Sequence, residues 1–329
     1  MDIKTTFIAL IAACITLVAC GNSGGGDNSG SASVEASTAP VAMAPFNADS
    51  AYALVAAQCD FGPRVPATPA HSRCAQWLEK QLSRHCDTVV LQRATVTTFD
   101  GKQLPITNFI GSINPDNPRR LLLVAHWDCR PWADNDPDPA KHSQPVMGAN
   151  DAASGVAVLL ELARTLPKSE TNIGIDILLV DAEDWGENGG DENSWALGTQ
   201  YWASHPHVEG YRPVAGILLD MVGAKGAQFS KEYFSMQYAS SVVNDLWNTA
   251  AKAGYSAFFR NHSGGAITDD HVTINTVAGI PCIDVIDMRT GTNSGFFPYW
   301  HTTDDTLDKI DPATLGAVGN TLARFIAGF

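Results

Sequence analysis

The run Ile175-Asp-Ile-Leu-Leu-Val-Asp-Ala-Glu-Asp184 is apolar apart from Asp176 and Asp181 until it ends in two adjacent acids. Two other short runs end in the same way: Arg120-Leu-Leu-Leu-Val-Ala-His-Trp-Asp128 and Gly216-Ile-Leu-Leu-Asp220. Such runs predict strands that are buried on both faces of a sheet. Carboxylates at that depth need a partner, because removing a charge from water without one is costly. The simplest shared partner is a divalent metal ion, and histidine and carboxylate ligands without a thiolate suit a catalytic zinc.

Around these runs, apolar strands take turns with segments of helical periodicity. This alternation predicts an α/β fold, and we expect a single-domain, three-layer α/β/α sandwich with a central mixed, mostly parallel sheet. Ligands of such sheets gather beyond the carboxyl ends of the strands, where the acids lie. The predicted strands are 88–98, 105–113, 121–125, 175–181, 215–220 and 280–286. The predicted helices are 51–59, 72–84, 152–166, 194–204, 240–253 and 312–326.

Residues 1–20 predict a secretory signal, because a basic residue precedes an apolar run that is too short to span a bilayer. The run ends in Leu17-Val-Ala-Cys20, which resembles a bacterial lipoprotein cleavage box with Cys20 as the lipidated residue; an ordinary secretory signal is the alternative. The Gly- and Ser-rich sequence that follows predicts a flexible linker over 21–45 and favours the lipoprotein. We therefore expect a catalytic domain over 46–329, exported and lipid-anchored in a bacterial cell envelope, facing the periplasm or the cell surface.

The composition excludes some classes of partner. The formal net charge is −14, which argues against nucleic acid or an anionic membrane surface as the main partner. The acids are spread along the chain, so solubility is their simplest role. With 45% hydrophobic residues the chain can form a large core. We expect a monomer.

Several short motifs carry a family resemblance. They are His126-x-Asp128, Asp151-x-x-Ser-Gly, the pair Glu183-Asp184 and a late His301, in that order. Together they resemble the zinc-dependent aminopeptidase superfamily over roughly residues 48–329. Smaller features resemble, within it, the glutaminyl cyclases of the animal type: Leu219-Asp-Met-Val-Gly-Ala224, Asp269-Asp-His271 and Trp300-His-Thr-x-Asp-Asp305.

The resemblance implies a role for each matching residue. The family's zinc ligands correspond to Asp151, Asp184 and His301, and its acid/base glutamate corresponds to Glu183. Its hydrogen-bonding aspartates correspond to Asp220 and Asp269. The second acidic ligand of the animal enzymes is usually glutamate, so the shorter Asp184 is a departure that affects the geometry of the site.

The residues alone leave alternatives open. Asp151 could stabilise a helix N-terminus through the macrodipole, and Glu183 with Asp184 could form a solvated turn. His126 and Asp128 could help to hold a second metal, as in dizinc aminopeptidases, or be structural, as in the cyclases. We favour one zinc ion per chain over two.

Tryptophans are concentrated within or beside the motifs, which suggests an aromatic pocket for a small neutral side chain. Core packing is the commoner fate of tryptophan and is the alternative. Trp300 is the strongest candidate for the pocket, followed by Trp185 and Trp195, with Phe297 or Phe296 completing the wall. Among the histidines outside the motifs, His71 is assigned to the surface.

The resemblance implies a zinc-dependent glutaminyl-peptide cyclotransferase, an enzyme that converts the N-terminal glutamine of peptides or proteins to pyroglutamate with release of ammonia. Zinc would polarise the side-chain carbonyl, and Glu183 would move protons between the two nitrogens. Two other functions stay open: a dizinc aminopeptidase of the same superfamily, and a non-catalytic binding lipoprotein on this fold.

Overall fold

A computed structural model describes residues 43–167 and 171–329. The predicted signal, Cys20 and most of the predicted linker lie outside these residues. The central sheet is formed by β1 (Thr88–Thr97), β2 (Gln103–Ile113), β3 (Arg120–His126), β4 (Gly174–Val180), β5 (Ala215–Asp220) and β8 (Cys282–Ile286). A small second sheet pairs β6 (Phe229–Lys231) with β7 (Phe259–Ser263).

The central sheet has the strand order β1-β2-β4-β3-β5-β8. The first two strands are antiparallel to their neighbours, whereas β4, β3, β5 and β8 run parallel to one another. The carboxyl ends of the four parallel strands therefore meet at one edge. The three acid-terminated runs of the sequence are β3, β4 and β5, side by side in the middle of the sheet.

Helices cover both faces of the sheet. They are α1 (Ala48–Cys59), α2 (Pro69–His85), α3 (Ala153–Thr165), α4 (Leu197–Ser204), α5 (Tyr233–Lys252), α6 (Asp270–Thr273) and α7 (Pro312–Ile326). Alternate side chains of one strand enter different cores: Leu121 and Leu123 pack with α3, whereas Leu122 and Val124 pack with Trp202 of α4. The predicted α/β fold with a mixed, mostly parallel sheet between two helical layers is confirmed.

The helices predicted from residues 51 and 72 begin three residues earlier, at Ala48 and Pro69, and two others differ for local reasons. The helix predicted from residue 240 is the part of α5 that follows a kink, where Ala239 is not helical (φ −146°, ψ 44°). The part before the kink begins at Tyr233, because the Glu232 carboxylate caps it by accepting the backbone N–H groups of Phe234 and Ser235. The helix predicted from residue 194 begins at Leu197, because Ala196 has a left-handed backbone (φ +54°) that interrupts the helix. The short strands β6 and β7 have no clear period and were not predicted.

Among the residues that the structure describes, no helix combines the length and apolar character needed to cross a membrane.

The start of α3 packs closely against the end of β5, at the edge of the sheet that carries the acids. A Cβ atom added at Gly155 would collide with the carbonyl oxygen of Leu219 and would lie 3.1 Å from Ala125 Cβ. We expect Gly155→Ala to lower the free energy of unfolding by about 1–2 kcal/mol, because overpacking outweighs the gain in helix propensity. Urea unfolding measures this change. Gly265→Ala, whose new Cβ would lie 3.4 Å from a flexible Met288 side chain, is the control and should change little.

Candidate active site

The acids predicted at the strand ends converge at one edge of the sheet. β3 ends at His126, β5 ends at Asp220, and Glu183 and Asp184 follow β4 closely. Asp151 lies just before α3 on the same edge. These residues line or border a cavity of about 360 Å³, which His301 also lines from the loop after β8.

Asp151, Asp184 and His301 form a buried group whose potential ligand atoms all lie within 4.8 Å of one another. His301 Nε2 is 3.0 Å from Asp184 Oδ1 and 3.7 Å from Asp151 Oδ2. Asp184 Oδ2 is buried and has no hydrogen-bond partner among the described residues. One imidazole and two carboxylates are a ligand set that zinc accepts, and the unpaired oxygen fits a metal ligand.

The electrostatics of this group reflect crowded negative charge. Burial, together with the carboxylates of Asp184 and Asp220, raises the pKa of Asp151 to about 6. Although burial opposes protonation of His301, the carboxylates of Asp184 and Asp134 raise its pKa to about 9. A cation at this position would neutralise both carboxylates and take the place of the histidine proton.

The structure bears on the two simpler alternatives for these acids. Asp151 does not cap α3, since the N-cap position is Ala152 and carries no side-chain cap. Asp184 is 1% exposed, so it does not belong to a solvated turn.

Carboxylates behind the group hold its backbone in place. Asp305 accepts hydrogen bonds from the backbone N–H groups of Asn150 (2.9 Å) and Asp151 (3.1 Å). Asp128 accepts those of Glu183 (3.1 Å) and Asp184 (3.2 Å). Asp128 is therefore placed to orient the loop after β4, and it does not belong to the groups of potential metal ligands.

Arg130 and Asp134 support the group from the other side, although sequence reasoning gave them no role. The Arg130 guanidinium donates to the carbonyl oxygen of Asp184 (2.9 Å) and pairs with Asp134. Asp134 Oδ1 in turn lies 3.5 Å from His301 Nδ1. A carboxylate behind the second nitrogen of a histidine is the usual means of orienting a metal ligand.

His126 lies in a second group with Asp151 and Asp220. His126 Nε2 is 2.9 Å from Asp151 Oδ1 and 3.3 Å from Asp220 Oδ1. The contact with Asp220 is a hydrogen bond and the contact with Asp151 is an ion pair, and the same atoms could also surround a second metal ion. Although burial opposes it, the nearby carboxylates of Asp128, Asp151 and Asp220 raise the pKa of His126 well above its ordinary value.

Three acids with no place in the first metal group face the same cavity: Glu183, Asp220 and Asp269. The Glu183 side chain is 13% exposed, and its Oε2 is 3.9 Å from His126 Nδ1. Burial, with the charges of Asp184 and Asp269, raises the pKa of Glu183 well above that of an ordinary glutamate. A carboxylate with a raised pKa is a stronger base, which suits a group that accepts and returns protons.

Three of the predicted aromatic residues, Trp195, Phe296 and Trp300, line the cavity. The Trp300 ring stacks on His301 (centroids 3.8 Å apart), and the Trp195 ring lies nearly parallel to His301 at 5.9 Å. Gly186 leaves room for Trp195, because a Cβ atom at position 186 would overlap the indole. Phe296 also lines the cavity and contacts Trp300 at a centroid distance of 4.9 Å.

The other two predicted wall residues lie elsewhere. Trp185 turns away from the cavity and packs edge-on against Trp132 in a separate apolar cluster. Phe297 is 2% exposed and packs under the site with Met221 and Ile286. Each of them is next in sequence to a cavity-lining residue, Asp184 or Phe296, but its side chain packs in an apolar cluster instead.

His71 was assigned to the surface, and this assignment was wrong. Its Nε2 pairs with Asp181 Oδ1 at 2.8 Å, and its ring stacks on Trp127 with centroids 4.1 Å apart. The same Asp181 carboxylate accepts the backbone N–H of Thr107, so it ties the end of β4 to α2 and β2. The pairing spans 110 residues of sequence, and no local pattern signals it.

The sequence of residues 108–326 matches the family model of peptidase family M28. The chain belongs to peptidase family M28. Within this M28 chain, the matched segment contains every member of the two metal-ligand groups described above.

Solved structures and a curated relative resemble the M28 chain over most of its length. A Zn-dependent exopeptidase from Parabacteroides distasonis is 47% identical, with a TM-score of 0.85, covering 88% of this chain and 100% of that one. A glutaminyl cyclase from Tannerella forsythia is also 47% identical, with a TM-score of 0.85, covering 87% and 100%. A glutaminyl-peptide cyclotransferase of Bos taurus is 26% identical in an alignment that covers 80% of this chain and 77% of the relative.

The M28 site has a further buried network of Glu232 and His271, of which only His271 belongs to a sequence motif. Glu232 accepts a hydrogen bond from the backbone N–H of Ile267 (3.0 Å) and pairs with His271 Nε2 (3.1 Å). Although burial opposes it, the interaction with His271 lowers the pKa of Glu232 to about 2. His271 also forms a group with Asp269 and Asp284, all buried. The network therefore connects α5 to the wall of the cavity that carries Asp269.

Proposed function

We propose that this M28 protein is a zinc-dependent glutaminyl-peptide cyclotransferase that acts on peptides or proteins with an N-terminal glutamine. One observation carries the proposal: Glu183 lies outside the Asp151–Asp184–His301 group but faces the same small cavity, which Trp300 closes on one side. A carboxylate free of the metal can serve as an acid and a base. The names of the bovine relative and of the Tannerella structure support this reaction.

The residues fit a zinc ion. Asp151, Asp184 and His301 would hold it, since they offer the donor types that zinc prefers and include an unpaired buried oxygen. When bound, zinc supplies a Lewis acid that polarises the carbonyl of the substrate's side-chain amide. We propose one zinc ion per chain, with His126 acting structurally between Asp151 and Asp220.

The remaining residues of the cavity supply proton transfer and orientation. Glu183 takes a proton from the α-amino group, whose nitrogen forms a bond to the side-chain carbonyl carbon of the same glutamine. As the bond from that carbon to the amide nitrogen breaks, Glu183 returns the proton and ammonia leaves. Asp220 and Asp269 hold the two nitrogens by accepting their hydrogen bonds. The flat face of Trp300 confines the chain so that the two ends of the glutamine meet.

A dizinc aminopeptidase is the second candidate, because His126, Asp151 and Asp220 form another group of potential ligands. The name of the Parabacteroides neighbour points the same way. The test incubates the zinc-loaded protein with a Gln-initial peptide and identifies the product by mass. We expect an intact peptide that has lost ammonia. Release of free glutamine would instead establish hydrolysis, and no reaction together with no retained zinc would support the non-catalytic binding lipoprotein.

We also propose that the protein is exported and held in a bacterial cell envelope by a lipid on Cys20, with a linker over residues 21–45 and a monomeric catalytic domain. The sequence of the first 30 residues supports the anchor. A tether of this kind would leave the active site open to peptides in the surrounding compartment.

A further inference from the structure

The mouth of the cavity carries one carboxylate that the proposed mechanism does not use. Glu192 is exposed at the start of a short 3₁₀ turn (Glu192–Ser194) in the segment between β4 and α4. Its Oε2 accepts a hydrogen bond from Thr268 Oγ1 at 3.0 Å. Because Thr268 directly precedes Asp269, this bond connects the two segments that form one side of the cavity mouth.

A groove of about 310 Å³ begins at this point and leads away from the cavity. Cavity and groove share Glu192, Trp195, Thr268 and Asp269. The groove has a mixed lining, with the apolar residues Phe234, Val272 and Val277 beside polar ones such as Gln200 and Thr276. A chain that leaves the cavity past Asp269 would therefore cross Glu192 and then enter the groove.

The charge of Glu192 has no basic neighbour along this path. Among the described residues that line the cavity and the groove, none is lysine or arginine. The hydrogen bond from Thr268 is to a neutral hydroxyl, so it leaves the carboxylate charge in place. Glu192 lines both the cavity and the groove, so a residue that follows the substrate glutamine into the groove passes this charge.

We propose that Glu192 is a specificity residue that favours peptides with a basic second residue and disfavours those with an acidic one. The inference rests on the proposed function, since it takes the N-terminal residue as the one held in the cavity. An exposed ion pair changes a rate by about two- to fivefold, and repulsion of an acidic residue adds a similar factor. The preference should weaken at high salt, which screens exposed charges.

Three peptides, Gln-Arg-Ala-amide, Gln-Gln-Ala-amide and Gln-Glu-Ala-amide, test the inference through their kcat/KM values. In the wild type we expect the order Arg, Gln, Glu. In Glu192→Gln, the ratio of kcat/KM for the Arg peptide to that for the Glu peptide should fall at least about fourfold. Glu192→Lys should invert the order, and Glu192→Asp, which keeps the charge, should retain it. Glu209→Gln removes an exposed acid after α4 that lines neither the cavity nor the groove, and should leave the ratio unchanged.

Turnover of the neutral peptide shows whether each variant is folded and active. An unchanged Arg-to-Glu ratio in Glu192→Gln, with normal turnover of the neutral peptide, would overturn the inference. A failure of the proposed function looks different: the wild type would release free glutamine from these peptides. The same ratio, measured on that release, would then test Glu192 by itself.

Discussion

Glu183→Gln should lower kcat for a Gln-initial peptide by about 10²- to 10⁴-fold, the usual contribution of a general acid/base group. The change keeps the size of the side chain and removes its ability to accept a proton. A loss of this scale corresponds to about 3–5 kcal/mol of transition-state stabilisation. Stopped assays of ammonia release measure it. KM should change less than kcat, because Glu183 acts on the reacting nitrogens rather than on the bound chain.

Zinc content makes this prediction specific. Glu183 is not a member of the Asp151–Asp184–His301 group, so the variant should retain as much zinc as the wild type. Glu187→Gln, which removes an exposed acid from the same segment outside the cavity lining, should turn over normally. Near-normal kcat in Glu183→Gln would remove Glu183 from the mechanism, and loss of zinc from it would make Glu183 a ligand.

Much of the fold could be predicted, because each central strand can be identified from its local sequence pattern alone. β3, β4 and β5 are short apolar runs that lie in the middle of the sheet, and each ends in or is soon followed by a polar group of the site. A buried parallel strand is mostly apolar, so its end is visible as a change to polar residues. β4 departs from this in part, because it contains Asp176, which is buried and pairs with Arg120 of β3. The pattern still assigns His126, Glu183, Asp184 and Asp220 to one edge of the sheet from the sequence.

The errors arose where direction or long-range pairing decides the outcome. Trp185 follows Asp184 directly, yet its side chain packs on Trp132 outside the cavity. Phe297 is buried beneath the site, whereas its neighbour Phe296 lines it. A residue that is next in sequence to a cavity-lining residue lies close to the cavity, but its side chain can point away from it.

Hydrogen bonds to the site from residues distant in sequence could not be predicted either. Asp305 reaches the backbone of Asn150 across 155 residues, and no periodicity predicts such a bond. The need for it could have been inferred, because the backbone N–H groups beside a buried ligand require acceptors. The identity of the acceptor could not, since any buried carboxylate or carbonyl would satisfy them.

Asp184→Ala should abolish both zinc retention and turnover, the largest effect that we expect. The substitution removes one of three potential ligands and leaves His301 facing Asp151 without the second carboxylate. After dialysis, metal analysis should find close to one zinc ion per wild-type chain and almost none in the variant. Thermal unfolding gives a readout other than activity: zinc at about 100 times its Kd should stabilise the wild type by about 2.7 kcal/mol and leave the variant unchanged.

His126→Gln is the matched control, because it alters the second group while leaving the first intact. If one zinc ion is held as proposed, this variant should keep it, and its unfolding should respond to zinc as the wild type does. Two zinc ions in the wild type, with one lost from His126→Gln, would contradict the single-metal site and favour the aminopeptidase. Asp220 belongs to both interpretations, so the behaviour of His126 decides between them. Its imidazole either binds a second metal or hydrogen-bonds Asp220 and pairs with Asp151.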